Sequence, residues 1–152
     1  MSLKLVIPGR KRRSIILIKL VLDLNGTLTV DGIINANTIF LLKKVAVFLE
    51  VHIITADTLG LAVKIQRPLN LKVHVIRGKH TSAAKAYYIQ KLGQREIIAI
   101  GNGVNDTAML GKAAIGIAVL GPEVALPKPC AALIYRLIIL MMRYLWLPNR
   151  GG

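Results

Sequence analysis

Val21-Leu22-Asp23-Leu24-Asn25-Gly26-Thr27-Leu28-Thr29 decides the reading of this chain. An apolar run ends in an aspartate, Gly26 reverses the chain, and two threonines flank the exit of the turn. A carboxylate at the C-terminal end of a buried parallel strand stands where open α/β sheets bind ligands. A second segment, Ala99-Ile100-Gly101-Asn102-Gly103-Val104-Asn105-Asp106, has the same order: apolar strand, Gly turn, carboxylate. Two such strand ends place two carboxylates around one cation.

Outward from these segments the chain alternates. Residues 3–7 and 15–19 read as a β-hairpin around Pro8-Gly9-Arg10-Lys11, followed by a core strand at 19–24. A helix over 35–50 takes Asn35 or Asn37 as its cap. Strand 51–55, helix 58–67 with Asp57 as its cap, and strand 71–76 come next. Helix 81–92 is capped by Thr81 and stopped by Gly93; strand 96–100, helix 104–113 and strand 115–119 follow. The tail holds Pro122, Pro127 and Pro129, then a short strand at 132–135 and an apolar helix to 147. Short apolar runs alternating with helices predict an α/β, Rossmann-like fold with a mostly parallel sheet covered on both faces. The expected organisation is one domain over 1–152: hairpin 1–18, core 19–121 and apolar C-terminal segment 122–152.

Composition bounds the function. A chain of 152 residues buries a real core. The single cysteine, Cys130, excludes an internal disulfide and fits a reducing, cytoplasmic setting. His52, His74 and His80 lack zinc-like spacing and read as ordinary strand and loop residues. The N-terminus has no signal-peptide pattern. Arg136 and Arg143 break the apolar stretch Ala131 to Leu147, so no membrane partner is expected. Net charge is +14 with only seven acids. Asp23, Asp57 and Asp106 fall at strand ends or turns. Asp31 reads as a Val-Asp-Gly turn, and Glu50, Glu96 and Glu123 as surface positions. The cluster Arg10-Lys11-Arg12-Arg13 is read as a solvated hairpin tip in preference to a docking site for RNA or a phosphoprotein, because no aromatic residues interleave with it. Tyr87-Tyr88 reads as one exposed and one buried ring. Leu137-Ile138-Ile139-Leu140-Met141-Met142 is apolar all round and must be covered, by a second copy in a homodimer in preference to the N-terminal hairpin of a monomer.

The residues also carry a family resemblance. Asp23-Leu24-Asn25-Gly26-Thr27-Leu28-Thr29 resembles motif I of the haloacid dehalogenase (HAD) superfamily, and Gly101-Asn102-Gly103-Val104-Asn105-Asp106 resembles motif IV. Thr55 ends a strand as motif II requires, and Lys85 is similar to the motif III lysine, with Lys79 as the substitute. Ala113-Ala114-Ile115-Gly116-Ile117-Ala118-Val119 resembles the segment after motif IV in the phosphorylation domain of P-type ATPases. The chain as a whole looks like the small archaeal P-type-ATPase-like phosphatases of that superfamily. The resemblance covers residues 19–121.

What the resemblance implies is a magnesium-dependent phosphohydrolase. Asp23 attacks phosphorus and forms an aspartyl phosphate. Asp23, the Asn25 carbonyl, Asn102 and Asp106 hold Mg2+, a hard cation that wants oxygen ligands. Thr55 and Ala56 face the phosphoryl oxygens, and Lys85 neutralises charge on the transferred group. Backbone N–H groups of Asn25, Gly26 and Thr27 complete the phosphate cradle. A phosphorylated molecule is then the substrate.

Two departures from the family pattern cost charge. Asn25 stands where these phosphatases carry a second aspartate that protonates the leaving group. General acid–base help is worth about 10²–10⁴-fold in rate, roughly 3–5.5 kcal/mol of barrier. Asn102 stands where motif IV begins Gly-Asp. The expected enzyme is therefore slow; the alternative is a catalytically weak or inactive protein of the same fold that binds a phosphorylated ligand or partner. No cap domain fits between the motifs, because one turn and one helix fill residues 30–54.

Overall fold

The computed structural model describes residues 2–6, 14–30, 32–56, 60, 62, 66, 71–78, 80–102 and 104–119. Two short strands, β1 (Leu3–Val6) and β2 (Ser14–Leu17), pair antiparallel from Leu3↔Leu17 to Val6↔Ser14. Ile18 then leads directly into β3 (Lys19–Asp23). A small hairpin of β4 (Thr29–Val30) and β5 (Ile33–Ile34) follows. The rest alternates: α1 (Ala36–Val45), β6 (Glu50–Thr55), β7 (Lys72–Val75), α2 (Thr81–Leu92), β8 (Ile97–Gly101), α3 (Thr107–Lys112) and β9 (Ile115–Ala118).

Five of these strands form one sheet in the order β7-β6-β3-β8-β9, every pair parallel. This is the mostly parallel α/β sheet the sequence predicts. The strand residues sort by parity, as a period of two requires. On one face Leu20, Leu22, Val51, Ile53, Ile98 and Ile100 pack with Leu41, Leu42 and Val45 of α1. On the other, Val21, Ile54, Ile97 and Ala99 pack with Ile89 of α2 and Met109 of α3. Both faces of the central strands are covered, which is why β3, β6 and β8 read as near-continuous apolar runs. Asp23 shares the parity of Val21 and therefore faces the α2 side.

Order also sets the site. From β3 the chain moves out through β6 and β7, then returns to the other side of β3 as β8. The crevice at such a switch point opens beyond the C-terminal ends of the two central strands. Asp23 ends β3, and Gly101 ends β8.

Several boundaries differ from the sequence expectation. Helix α1 stops at Val45 rather than 50. Ala46 N–H still reaches Leu42 O, but Phe48 and Leu49 N–H both return to Val45 O, and Glu50 N–H pairs with Ile18 O. That turn buries Leu49 and starts β6 one residue early. The cap of α1 is Asn35, whose Oδ1 accepts the Asn37 N–H at 2.8 Å. For α2 the cap is His80 rather than Thr81, because His80 O accepts the first helical bond from Ala84 N–H, at 3.1 Å. Gly93 ends α2 with φ +97, as expected of a left-handed stop. The helix expected over 104–113 opens as a 3-10 turn, Val104–Asp106. The β4–β5 hairpin was not expected; Gly32, at φ +74, turns it. Lys19 at the start of β3 donates from Nζ to Leu92 O at 2.7 Å, which ties the carbonyl end of α2 to the sheet.

Most of the helix expected over 58–67, together with Asp57, Asp31 and Lys79, lies outside the described residues. So do the Arg10–Arg13 cluster and the whole tail, with its expected strand, apolar helix and dimer contact. Among the described residues no helix is long and apolar enough to cross a membrane.

Candidate active site

Three elements carry buried charge into the crevice. Asp23 comes from the end of β3, Lys85 from the second turn of α2, and Asp106 from the turn into α3. All three are almost wholly buried, at 5%, 4% and 2% exposure. Lys85 Nζ donates to Asp23 Oδ1 and to Asp106 Oδ1, each at 2.6 Å. The second Asp106 oxygen, Oδ2, accepts the Asn102 N–H at 3.1 Å. Asp106 stands at the N-cap position of α3 but makes no side-chain cap bond there; its carboxylate is turned to Lys85 and the Asn102 N–H instead.

Burial drives the electrostatics. Desolvation pushes the Asp23 carboxyl above its ordinary value; the Lys85 ammonium pulls the other way and the Asp106 charge adds to the rise. For Lys85, burial works to lower the pKa, but hydrogen bonds to Asp106 and Asp23 outweigh it and the ammonium is held above its ordinary value. The lysine is a fixed positive charge between two carboxylates.

The loop after Asp23 is tightly built. Leu24 N–H continues the sheet to Ile54 O at 3.1 Å, while Leu24 O accepts from the N–H groups of Leu28 and Thr29 and from the Thr29 hydroxyl. Gly26 N–H closes the loop on Thr29 O at 3.1 Å. Of the three amides expected to cradle phosphate, that of Gly26 is therefore engaged within the loop. Gly26 adopts φ +75, and a Cβ there would overlap the Asn102 side-chain amide. The two loops that carry the aspartates press against each other at that point. Gly101 has a similar role: a Cβ would sit 2.6 Å from Asp106 Cβ, so only glycine lets that carboxylate fold back over the end of β8. Thr27 is buried, and its hydroxyl has no partner among the described residues.

Thr55 ends β6 fully buried, and the exposed Asn25 amide approaches its hydroxyl at 3.5 Å, the outer limit of a hydrogen bond. Ala56 follows Thr55, half-buried, at the mouth of the crevice. The fold thus brings together Asp23, Lys85, Asp106 and Asn102 directly, and sets Asn25 against Thr55. Sequence reasoning missed the two glycine contacts. The glycines themselves are visible in the sequence as turn residues, but the neighbours that exclude a Cβ are set by the fold.

The donor set suits a hard divalent cation. Among the described residues no group of three or more His, Cys, Asp or Glu is placed to hold a metal. Two carboxylates bridged by one ammonium remain. Such a pair fits magnesium, which keeps several waters and takes one or two carboxylates plus substrate phosphate.

No protein-family model and no curated protein matches the sequence. Solved structures do match. The cobalt-bound deoxy-D-mannose-octulosonate 8-phosphate phosphatase of Haemophilus influenzae is 14% identical, with a TM-score of 0.64 over 84% of this chain and 88% of that one. The 3-deoxy-D-manno-octulosonate 8-phosphate phosphatase of Moraxella catarrhalis, solved with magnesium, phosphate and a KDO molecule, is 22% identical, with a TM-score of 0.59 over 83% and 86%. A zinc-transporting PIB-type ATPase in its E2.Pi state is 26% identical, with a TM-score of 0.55 over 73% of this chain and 19% of the ATPase.

Proposed function

We propose that this chain, whose fold is that of the haloacid dehalogenase superfamily, is a magnesium-dependent phosphohydrolase that works through an aspartyl phosphate on Asp23. The observation that carries this reading is the buried Lys85 ammonium held 2.6 Å from both Asp23 and Asp106 at the ends of the two central strands. A structural ion pair needs one carboxylate; a phosphoryl site needs a nucleophile, a second anion for a cation, and a fixed positive charge.

Asp23 and Asp106, with the Asn25 carbonyl and Asn102, would hold the magnesium, which supplies charge screening when bound. A carboxylate oxygen of Asp23 attacks phosphorus as the bond to the leaving oxygen breaks. Lys85 stabilises negative charge on the transferred group, and the Thr55 hydroxyl donates to a phosphoryl oxygen. Water then attacks the phosphorus of the acyl phosphate, releasing inorganic phosphate and restoring Asp23. Asn25 can neither protonate the leaving oxygen nor activate that water. Turnover is therefore slow, and substrates with good leaving groups are favoured.

Phosphate release from aryl, acyl and alkyl phosphates, with and without magnesium, tests it. Release with the first two that needs magnesium and vanishes in Asp23→Asn supports the reading. Release that persists in purified Asp23→Asn overturns it. Phosphate binding with no release on any substrate favours the second reading, a non-catalytic phosphate binder, for which Asn25 and Asn102 speak.

A further inference from the structure

The buried charges described in the crevice belong to three residues. Asp23 and Asp106 each bring a negative charge and Lys85 a positive one. Lys85 Nζ lies 2.6 Å from one oxygen of each carboxylate, so the ammonium is shared between the same two groups that a cation would use. The other Asp106 oxygen accepts the Asn102 N–H at 3.1 Å. Asn102 brings no charge of its own, and its side-chain amide lies against Gly26. Among the described residues no third His, Cys, Asp or Glu joins the two aspartates as a metal group.

This balance bears on which ligands the site accepts alone. With Lys85 in place the three side chains carry a single net negative charge. Burial keeps solvent and salt from screening them, so an added charge is felt strongly. A magnesium ion arriving alone turns the balance positive and stands beside a buried ammonium. A phosphate dianion arriving alone makes the site more negative still. The ion and the dianion together leave the balance where it began, and a buried charge is costly unless it is paired. Magnesium also sheds its waters reluctantly and is usually held by one or two carboxylates plus substrate phosphate.

We propose, resting on the phosphohydrolase reading, that Lys85 keeps a magnesium ion from residing in the site by itself, so that the chain takes the cation together with the phosphoryl group. Lys85 then acts on the two ligands in opposite senses. It weakens the metal held alone, because like charges are brought together, and it strengthens the phosphate. A lysine kept only to hold the fold would not divide them: its loss would loosen the site for both.

Equilibrium dialysis of the full chain against Mn2+, against inorganic phosphate and against both tests the proposal. Wild type should bind Mn2+ alone weakly, and about tenfold more tightly when phosphate is present. Lys85→Met should move the two ligands apart: Mn2+ alone about tenfold tighter, phosphate alone about tenfold weaker. Circular dichroism checks the fold of that variant. Asn102→Asp, which adds a negative charge and leaves Lys85 in place, should shift both affinities in the same senses and decides the matter if Lys85→Met does not fold. Mn2+ bound by wild type equally well with and without phosphate overturns the proposal and leaves the phosphohydrolase reading standing. So does a folded Lys85→Met that loses affinity for both ligands, or an Asn102→Asp that binds Mn2+ alone no better than wild type. A wild-type chain that takes up no Mn2+ even with phosphate overturns both.

Discussion

Helix α2 covers two polar clusters, and they differ in how they handle charge. At one, Lys85 holds Asp23 and Asp106, and all three are buried. At the other, one turn on, the Tyr88 hydroxyl meets His52 Nδ1 at 3.0 Å, and His74 stacks on the Tyr88 ring at 4.4 Å. His52 Nε2 faces Glu50 at 3.2 Å, and Glu50 in turn holds Lys72. The second cluster grades outward: His52 is 2% exposed, while Glu50, Lys72 and His74 reach solvent. Its members can leave without stranding a charge. In the first cluster Lys85 cannot, because its removal leaves two uncompensated carboxylates in the interior, whereas loss of either aspartate leaves a one-to-one ion pair. A buried triad of ions is a poor way to gain stability and a good way to fix a charge in place.

The strongest way to break the comparison is Lys85→Met. Two carboxylates then share a buried pocket without a cation, at a cost of about 3–5 kcal/mol at neutral pH. The loss should be smaller at pH 5, since burial raises the Asp23 pKa and that carboxyl takes up a proton more readily as pH falls. Urea denaturation at the two pH values checks both points, and a pH-independent loss would count against the charge argument. Magnesium-dependent phosphate release should also vanish.

Gly101→Ala comes next. Its Cβ meets Asp106 at 2.6–2.7 Å, so the carboxylate must move. Overpacking of this kind costs about 1–3 kcal/mol. Release should fall more than stability, because Asp106 moves away from Lys85; a variant that loses stability alone would mean that the position of Asp106 is not critical.

Tyr88→Phe probes the second cluster. It leaves the buried His52 Nδ1 without its partner and should cost about 1 kcal/mol, read from the thermal midpoint. Release per folded molecule should be unchanged. A large fall in release would mean that the two clusters are coupled through α2.

The smallest effect concerns pH. Burial pushes the His52 pKa below its ordinary 6.5, with Glu50 opposing the shift. Below that value the unfolded chain binds the proton more readily than the folded one. The contribution of His52 is therefore complete above pH 6.5 and is lost as pH falls through the folded value. Glu50, whose own pKa is lowered chiefly by the Lys72 hydrogen bond, loses its contribution only in a lower window, below 4.5. Thermal midpoints from pH 7.5 to 5 should fall less in His52→Gln than in wild type.

The same contrast explains what was legible beforehand. Asp23 and Asp106 were legible because carboxylates at the ends of apolar runs stand out in so basic a chain, and Lys85 was marked by its likeness to a motif lysine. The parallel sheet was legible because burial on both faces leaves apolar runs. The second cluster was not. His52 and His74 read as ordinary strand residues, and nothing local says that both meet Tyr88; the sequence marked one ring of the Tyr87-Tyr88 pair as covered without saying which. The contact of Gly26 with Asn102 and the early end of α1 were hidden for the same reason. Each is fixed by a partner far along the chain, whereas propensity and period describe only neighbours.

The bond from Lys19 to Leu92 O completes a pattern along α2. The helix is fastened at three points: Lys85 to β3 and the turn into α3, Tyr88 to β6, and its last carbonyl to the first residue of β3. An element held along its whole length cannot fray or swing as a lid does. In amide hydrogen exchange, Ile89 in α2 and Val21 in β3 should open with the same free energy, as one cooperative unit. The positive charge at the crevice then has the same lifetime as the sheet beneath it.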